Sequence, residues 1–454
     1  MSRHFRACSL DQLLLLPPSL QDWLPDGHLA RFIGEVTEEL DLRPILAVFE
    51  AKDGRGRLGY HPLLLTRVLL YGYCTGVRSS RRIEKATYDD VAFRYLAADQ
   101  HPDHDTLAAF RQEHLELLAG LFAETLRLCQ AAGMVKLGVV AIDGTKLKAN
   151  ANSRRATTYS HLVERDSELE ALSKRLLDEA ARVDEEEDQR FGKGQRGDEL
   201  PPHLATVEQR RAKIREAKKA LEEEAQQRAR QAAEERAAAG GKPRNEAEKK
   251  RWMRAKSGQP APEARYNFVD PDSRIMKDSG ANAFLQGYNA QIAVDGEAQV
   301  IVAAAITNQV NDKDQLLPMA ALVKSATGRA ADNVVADAGY WKAESVTSQE
   351  LRGSEVLVPP DGHVTRRQQT VHPNAPRNEA ARMMREKLSN EATRQIYQKR
   401  QGIVEPVFGQ IKEHRGFRRT LLRGLQAVQA EWRIICLTHN LLKLHGHRQR
   451  LRAA

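Results

Sequence analysis

The amino-acid sequence predicts a mixed α/β core flanked by helices, and three observations predict it. Short, β-branched apolar runs recur at 138–142 (GVVAI), 288–294 (YNAQIAV), 299–306 (QVIVAAAI) and 333–336 (NVVA), each of strand length. Segments of helical periodicity stand between and after them. One long stretch, 160–256, is so rich in Glu, Arg, Lys, Ala and Gln that it reads as charged helix set into the core.

The chain has 454 residues, enough for two or three structural units. Its hydrophobic fraction of 41% supports a core, while 29% charged residues require much solvated surface. Aromatics at 6% argue against a stacking platform for single-stranded nucleic acid. Seventy Lys and Arg against 61 Asp and Glu leave a net charge of +9, which favours a polyanionic partner. Cys8, Cys74, Cys129 and Cys436 are scattered, with no CxxC pair, and read as reduced and buried. The apolar run Leu13–Leu16 is too short for a signal peptide, and no stretch is long enough to span a bilayer. The expectation is a cytoplasmic, nucleoid-associated protein without membrane contact.

Residues 1–135 read as a helical domain. Leu29, Phe32, Ile33 and Val36 recur at helical spacing, Pro62 opens the apolar segment Leu63–Leu70, and Asp105 is the expected N-cap of a helix carrying Leu107, Phe110, Leu115, Leu118 and Phe122. Its arginines suit either a solvated surface or DNA-end recognition. The run 138–142 predicts a buried strand ending at Asp143, in a core segment spanning 136–159. In the insertion, 160–256, Leu169, Leu172 and Leu176 share one helical face, as do Ile214, Ala217 and Leu221. A break near Phe191–Pro202 predicts two long, coiled-coil-like helices forming an antiparallel arm. Residues 257–445 continue the core. A hairpin turns at Asp295-Gly296, a helix covers 314–326, a strand ends at Asp337 and another covers 356–358. A basic loop over 361–378 holds Arg366 and Arg367, helix returns from 379, and 446–454 form a basic tail.

Asp143 and Asp337 each follow a strand run, where open α/β sheets place their sites. Singly, an Asp followed closely by Gly marks a turn. Together, two acids on neighbouring strand ends can face one cleft and offer oxygen ligands to a hard divalent cation. A third acid would complete a site for two metal ions. Asn308, Asn311 and Asp312 follow a strand end and are candidates for supporting such a site. His439, His445 and His447 lack a completing carboxylate or Cys, and read as a polar helix end.

The third acid comes with a resemblance. Segments VVAIDGTKLKANAN (139–152), DPDSRIMKDSGANAFLQGYNAQIAVD (270–295), VVADAGYW (334–341), VEPVFGQIKEHRGFRRTLLRGL (404–425) and EWRIICLTHNLLKL (431–444) occur in the order found in DDE transposases of bacterial insertion sequences. The chain most resembles the IS-five superfamily and its IS-eleven-eighty-two branch. That resemblance implies a ribonuclease-H-like core with Asp143, Asp337 and Glu405 as catalytic acids holding two Mg²⁺ or Mn²⁺ ions. It implies a Tyr-Arg-Glu-Lys signature at Tyr397, Arg400, Glu405 and Lys412. Arg400 stands five before Glu405 where four is usual, and a helix start or kink near Gly402 would reconcile the spacing. Lys146, Lys148, Arg415, Arg418 and Arg419 are further candidates for phosphate contact. The implied partners are double-stranded DNA (terminal inverted repeats and target) and further copies of the chain, as a homodimer or larger. The rival readings are a nuclease without strand transfer, an inactive DNA-binding regulator, and a coiled-coil interaction protein.

Overall fold

The computed structural model describes residues 19–50, 59–191, 202–238, 249, 252–253, 258–278, 283–360 and 379–453. Cys8, the Gly240-Gly241 interruption and the loop with Arg366 and Arg367 lie outside them. The chain forms two compact units, Met1–Leu147 with Asn289–Ala454, and Lys148–Tyr288. The boundary falls within two strands.

The first unit begins with helices α1 (Leu29–Glu39), α2 (Arg43–Glu50), α3 (Pro62–Thr75), α4 (Ser80–Asp89), α5 (Val91–Leu96), α6 (His104–Glu113) and α7 (Leu115–Ala131). Phe32, Ile33 and Val36 form the buried stripe of α1, as their spacing predicts. Pro62 occupies the first turn of α3, where its missing N–H costs nothing. Asp103, not Asp105, caps α6: its Oδ1 accepts from Thr106 N at 2.7 Å. The expected single helix is two, parted at His114.

Strand β1 (Val139–Lys148) runs six residues beyond its apolar half, so Asp143 sits mid-strand and not at its end. Within the second unit follow β2 (Ala156–Thr158), α8 (Tyr159–Phe191), α9 (Pro202–Ala238), β3 (Arg265–Asn267) and β4 (Arg274–Asp278). Then come β5 (Ala283–Asp295), β6 (Ile301–Thr307), α10 (Leu316–Thr327), β7 (Asn333–Val335), α11 (Ala343–Val346), β8 (Glu355–Leu357), α12 (Glu379–Ser389), α13 (Glu391–Gly409) and α14 (Leu425–Ala453). A π-helical turn over Gln410–His414 extends α13.

The sheet order is β4-β5-β1-β7-β8, with β6 also on β5. Strands β1, β7 and β8 run parallel; β4 and β6 pair antiparallel with successive halves of β5. This mixed sheet beside a helical N-terminal region is consistent with the expected ribonuclease-H-like core. The β5–β6 hairpin forms as expected, but its connection spans 296–300 and carries Gln299 at φ 58°, so Asp295-Gly296 is only its start. Edge strand β6 is closed by α14. Asn440 exchanges two 2.8 Å hydrogen bonds with the backbone of Ile301, and Gln429 accepts from Ile306 N at 2.5 Å. Helix α14 also packs on α7 and α3. Cys74, Cys129 and Cys436 are buried and free.

Helix α13 runs unbroken through Gly402, so the expected helix start there does not occur. Pro406 lies inside it and has no N–H for the carbonyl of Gly402; Gln299 Nε2 donates to that oxygen instead, at 2.9 Å.

In the second unit α8 and α9 pack antiparallel. Tyr159 near the start of α8 bonds Glu222 at 2.7 Å, and Ser173 further along bonds Glu208, earlier in α9, at 2.6 Å. Leu162, Ala217, Leu221 and Tyr266 form a buried cluster. Of the expected leucine face, Leu169 is buried but Leu172 is exposed. Asp166 is held below the usual carboxylate range although burial opposes this, because Lys218, Arg211 and Arg215 surround it.

Candidate active site

Strand register brings the two aspartates together. The parallel β1–β7 ladder pairs Val139 with Asn333, Val140 with Val334 and Ala141 with Val335. Two residues past the last pair stand Asp143 and Asp337. Asp337 caps a short 3-10 turn, its Oδ1 accepting from Gly339 N at 2.9 Å. Asp143 Oδ1 accepts from Gly144 N at 2.8 Å. Burial pushes the Asp143 carboxyl up to about 6; the Arg400 guanidinium opposes this, and the negative charges of Asp337 and Asp312 add to it.

Helix α13 lies across this point. Arg400 Nη1 donates to Asp143 Oδ2 at 3.1 Å, with both side chains largely buried. Tyr397, one turn earlier, hydrogen-bonds Arg400, and burial raises its phenol. Beyond, in the π-helical turn, Lys412 Nζ donates to Thr145 Oγ1 at 2.9 Å and to the Lys146 carbonyl at 3.4 Å. Residues 143 and 145 alternate onto one side of β1, so one strand face meets two cations of one helix. Lys146 Nζ stands 3.7 Å from Asp312 Oδ1, and burial lowers its pKa. Tyr340, fully buried, donates to Gln291 Oε1 and is raised by burial, then by Asp312, Asp143 and Asp337.

Not all the expected residues join this group. Glu405 is exposed on α13. Five residues on a continuous helix turn about 140°, so Glu405 and Arg400 face different ways. Among the described residues, no group of three His, Cys, Asp or Glu side chains lies close enough to hold an ion. Lys148 is exposed and falls in the second unit. Arg415 is 4% exposed and cannot reach a phosphate. Its Nη1 donates to Thr438 Oγ1 at 2.8 Å and Ile435 O at 3.3 Å, and burial pushes it down to about 10. Arg418 and Arg419 are exposed; Arg418 pairs with Glu413, and the Arg419 carbonyl accepts from Arg78. His439 is not at a polar helix end but fully buried, with Nε2 at 2.9 Å from Gln299 O. Thr145, Asn289, Gln291 and Tyr340 were not read as site residues; of these only Tyr340 carried a signal, its place three residues after Asp337.

The donor chemistry of the Asp143–Asp337 pair suits a hard divalent cation: two carboxylates, with the charge of Asp337 close enough to add to the rise of Asp143. A third donor is not gathered with them.

Two protein-family models match the chain: a transposase domain (DUF772) over residues 18–113, and a transposase DDE domain over residues 260–441. These matches support a DDE transposase. The second match includes Asp337 and Glu405, and Asp143 lies before it. No curated protein and no solved structure matches the chain. Among the described residues, no helix is long and apolar enough to cross a membrane.

Proposed function

We propose that this chain, whose two family matches support a DDE transposase, cleaves DNA at the ends of an insertion sequence and joins them to target DNA. The observation that carries the proposal is the pairing of Asp143 and Asp337 by parallel strand register, with cations of one helix laid against the same strand. Asp143 and Asp337 would hold divalent metal, Mg²⁺ or Mn²⁺, with Glu405 as the third acid. Two such ions held by these acids would supply polarisation of the scissile phosphate and activation of the attacking water or hydroxyl.

The chain's own residues do the positioning. Arg400 and Lys412 offer charge to the phosphates flanking the scissile bond, with Tyr397 orienting Arg400; Lys146, Lys148, Arg418 and Arg419 add further phosphate contacts. The family matches imply DNA binding, and the inverted repeats and an oligomer holding two ends belong to this reading, as do the IS-five and IS-eleven-eighty-two assignment, a coiled-coil role for α8 and α9, and residence at the nucleoid.

Nicking of labelled duplex carrying the element's own ends tests it. Wild type nicks only with Mg²⁺ or Mn²⁺; Asp337→Asn loses at least 10³-fold in rate, on the order expected for an acid that holds the metal, while end binding persists. Glu405→Gln does the same if it is the third acid. The open three-acid set favours one rival, a DNA-binding regulator. End binding without nicking in either metal would establish that rival and end the transposase reading, and nicking without joined products would leave a nuclease.

A further inference from the structure

Asp312 follows β6, contacts β5, β1 and the entry to α10, and faces the turn that carries Asp337. Its Oδ1 accepts from Asn289 Nδ2 at 2.6 Å and from Gln291 Nε2 at 2.7 Å, and lies 3.7 Å from Lys146 Nζ. Asn289 and Gln291 are both fully buried on β5. Gly144 makes room for this arrangement: a Cβ there would stand 2.4 Å from Gln291 Nε2 and 2.8 Å from Asp312 Oδ1. The other oxygen, Oδ2, is directed at the turn that carries Asp337, 3.8 Å from where a Gly339 Cβ would lie. The Asp312 carbonyl accepts from Gln315 N at 3.0 Å, at the entry to α10.

Two buried amides need an acceptor, and a neutral group would serve them. A carboxylate adds a third negative charge beside Asp143 and Asp337; Arg400 at Asp143 and Lys146 at Asp312 offset two of the three, and the negative charge left over in this partly buried site favours a further cation. We infer that Asp312 is a positioning residue for the Asp143–Asp337 pair: it fixes β1 and the Asp337 turn against β5, and its charge draws a divalent cation to the pair without ligating it. This rests on the metal-dependent reading above.

The test is calorimetric titration of Mn²⁺ into the DNA-free full chain, beside thermal melting. Asp312→Asn keeps an acceptor for both amides and removes the charge. Its melting should match wild type while Mn²⁺ binding weakens about tenfold, the scale of one nearby charge in a partly screened site. Equal Mn²⁺ binding by Asp312→Asn and wild type would overturn the inference and leave the proposed function standing. Absence of Mn²⁺ binding to wild type would overturn both. Should Asp312→Asn fail to fold, Lys146→Met reads the same field in the opposite direction. Removing the cation that faces Asp312 should tighten Mn²⁺ binding several-fold, and unchanged or weaker binding would count against the inference.

Discussion

Arg415 and Arg418 stand three residues apart, and their surroundings give them opposite work. Arg418 is exposed and keeps only a solvent-facing ion pair with Glu413, which leaves it able to turn to a phosphate. Arg415 is buried against carbonyls of α3 and α14, so it tethers the segment after α13 to those helices. His439 is a second buried polar residue with one task. Burial lowers its pKa to about 3, so the ring is neutral and has a single N–H. Nε2 faces the Gln299 carbonyl, and Nδ1 lies against the side-chain amide of Gln410. The unfolded chain protonates this histidine near 6.5 and the folded chain does not. Stability from this group is therefore complete above pH 6.5 and falls as pH drops toward 3. Between pH 6.5 and 5 the loss should be about 2 kcal/mol. Denaturant melts of His439→Gln over that range should show a flatter acid limb than wild type; parallel limbs would mean the ring titrates normally.

Elements position the site through close approaches. Helix α3 ends at Gly76, at φ 79°, and a Cβ there would fall 2.6 Å from the carbonyl oxygen of Arg415. Left-handed backbone and a backbone neighbour both oppose a side chain. Gly76→Ala should cost about 2–4 kcal/mol, against about 1–2 kcal/mol for Gly133→Ala, which shares the positive φ but has open space around it. Equal midpoint shifts in urea would show that the helix end and the loop are not in contact.

The elements also show what the sequence makes legible. Strands β6, β7 and β8 and helix α10 follow runs of one periodicity and stand close to where that periodicity put them, whereas β5 begins at Ala283, five residues before its predicted run. The sequence predicts that β1 ends at Asp143, because the apolar run stops just before it. Its second half, Asp143–Lys148, is polar because it lines the site, and pairing with β5, a long-range event, keeps it extended. The spacing of Arg400 and Glu405 predicts a helix start or kink near Gly402, and Pro406 also disfavours a continuous helix there. The side chain of Gln299, over a hundred positions earlier, relieves the carbonyl that Pro406 leaves bare. Asp143 and Asp337 could be singled out locally, since each follows an apolar run. Asp312 is a candidate on the same ground as Asn308 and Asn311, its place after a strand; what sets it apart from them, its contacts with Asn289, Gln291 and Lys146, arises only in the sheet.

At the scale of the whole molecule, two units hold separate cores. The second unit relies on Leu162, Ala217, Leu221 and Tyr266. Leu221→Ala should destabilise that unit by about 2–4 kcal/mol, through lost burial and a cavity. Scanning calorimetry should then resolve two transitions, of which one moves and the other stays. A single transition that shifts as a whole would show that the units melt together.

The parallel register of β1 and β7 has a temporal side. Asp143 and Asp337 are 337 − 143 = 194 positions apart in the chain. A ribosome adding about 5–20 residues per second needs roughly 10–40 s to pass from one to the other. Throughout that interval a nascent chain exposes the first acid and the N-terminal helices but lacks the neighbour that makes a site. A polypeptide released early, ahead of Asn333, is in the same state for good. Interrupted synthesis therefore yields products without the carboxylate pair, and the proposed cutting activity would belong to translation that has gone most of the way.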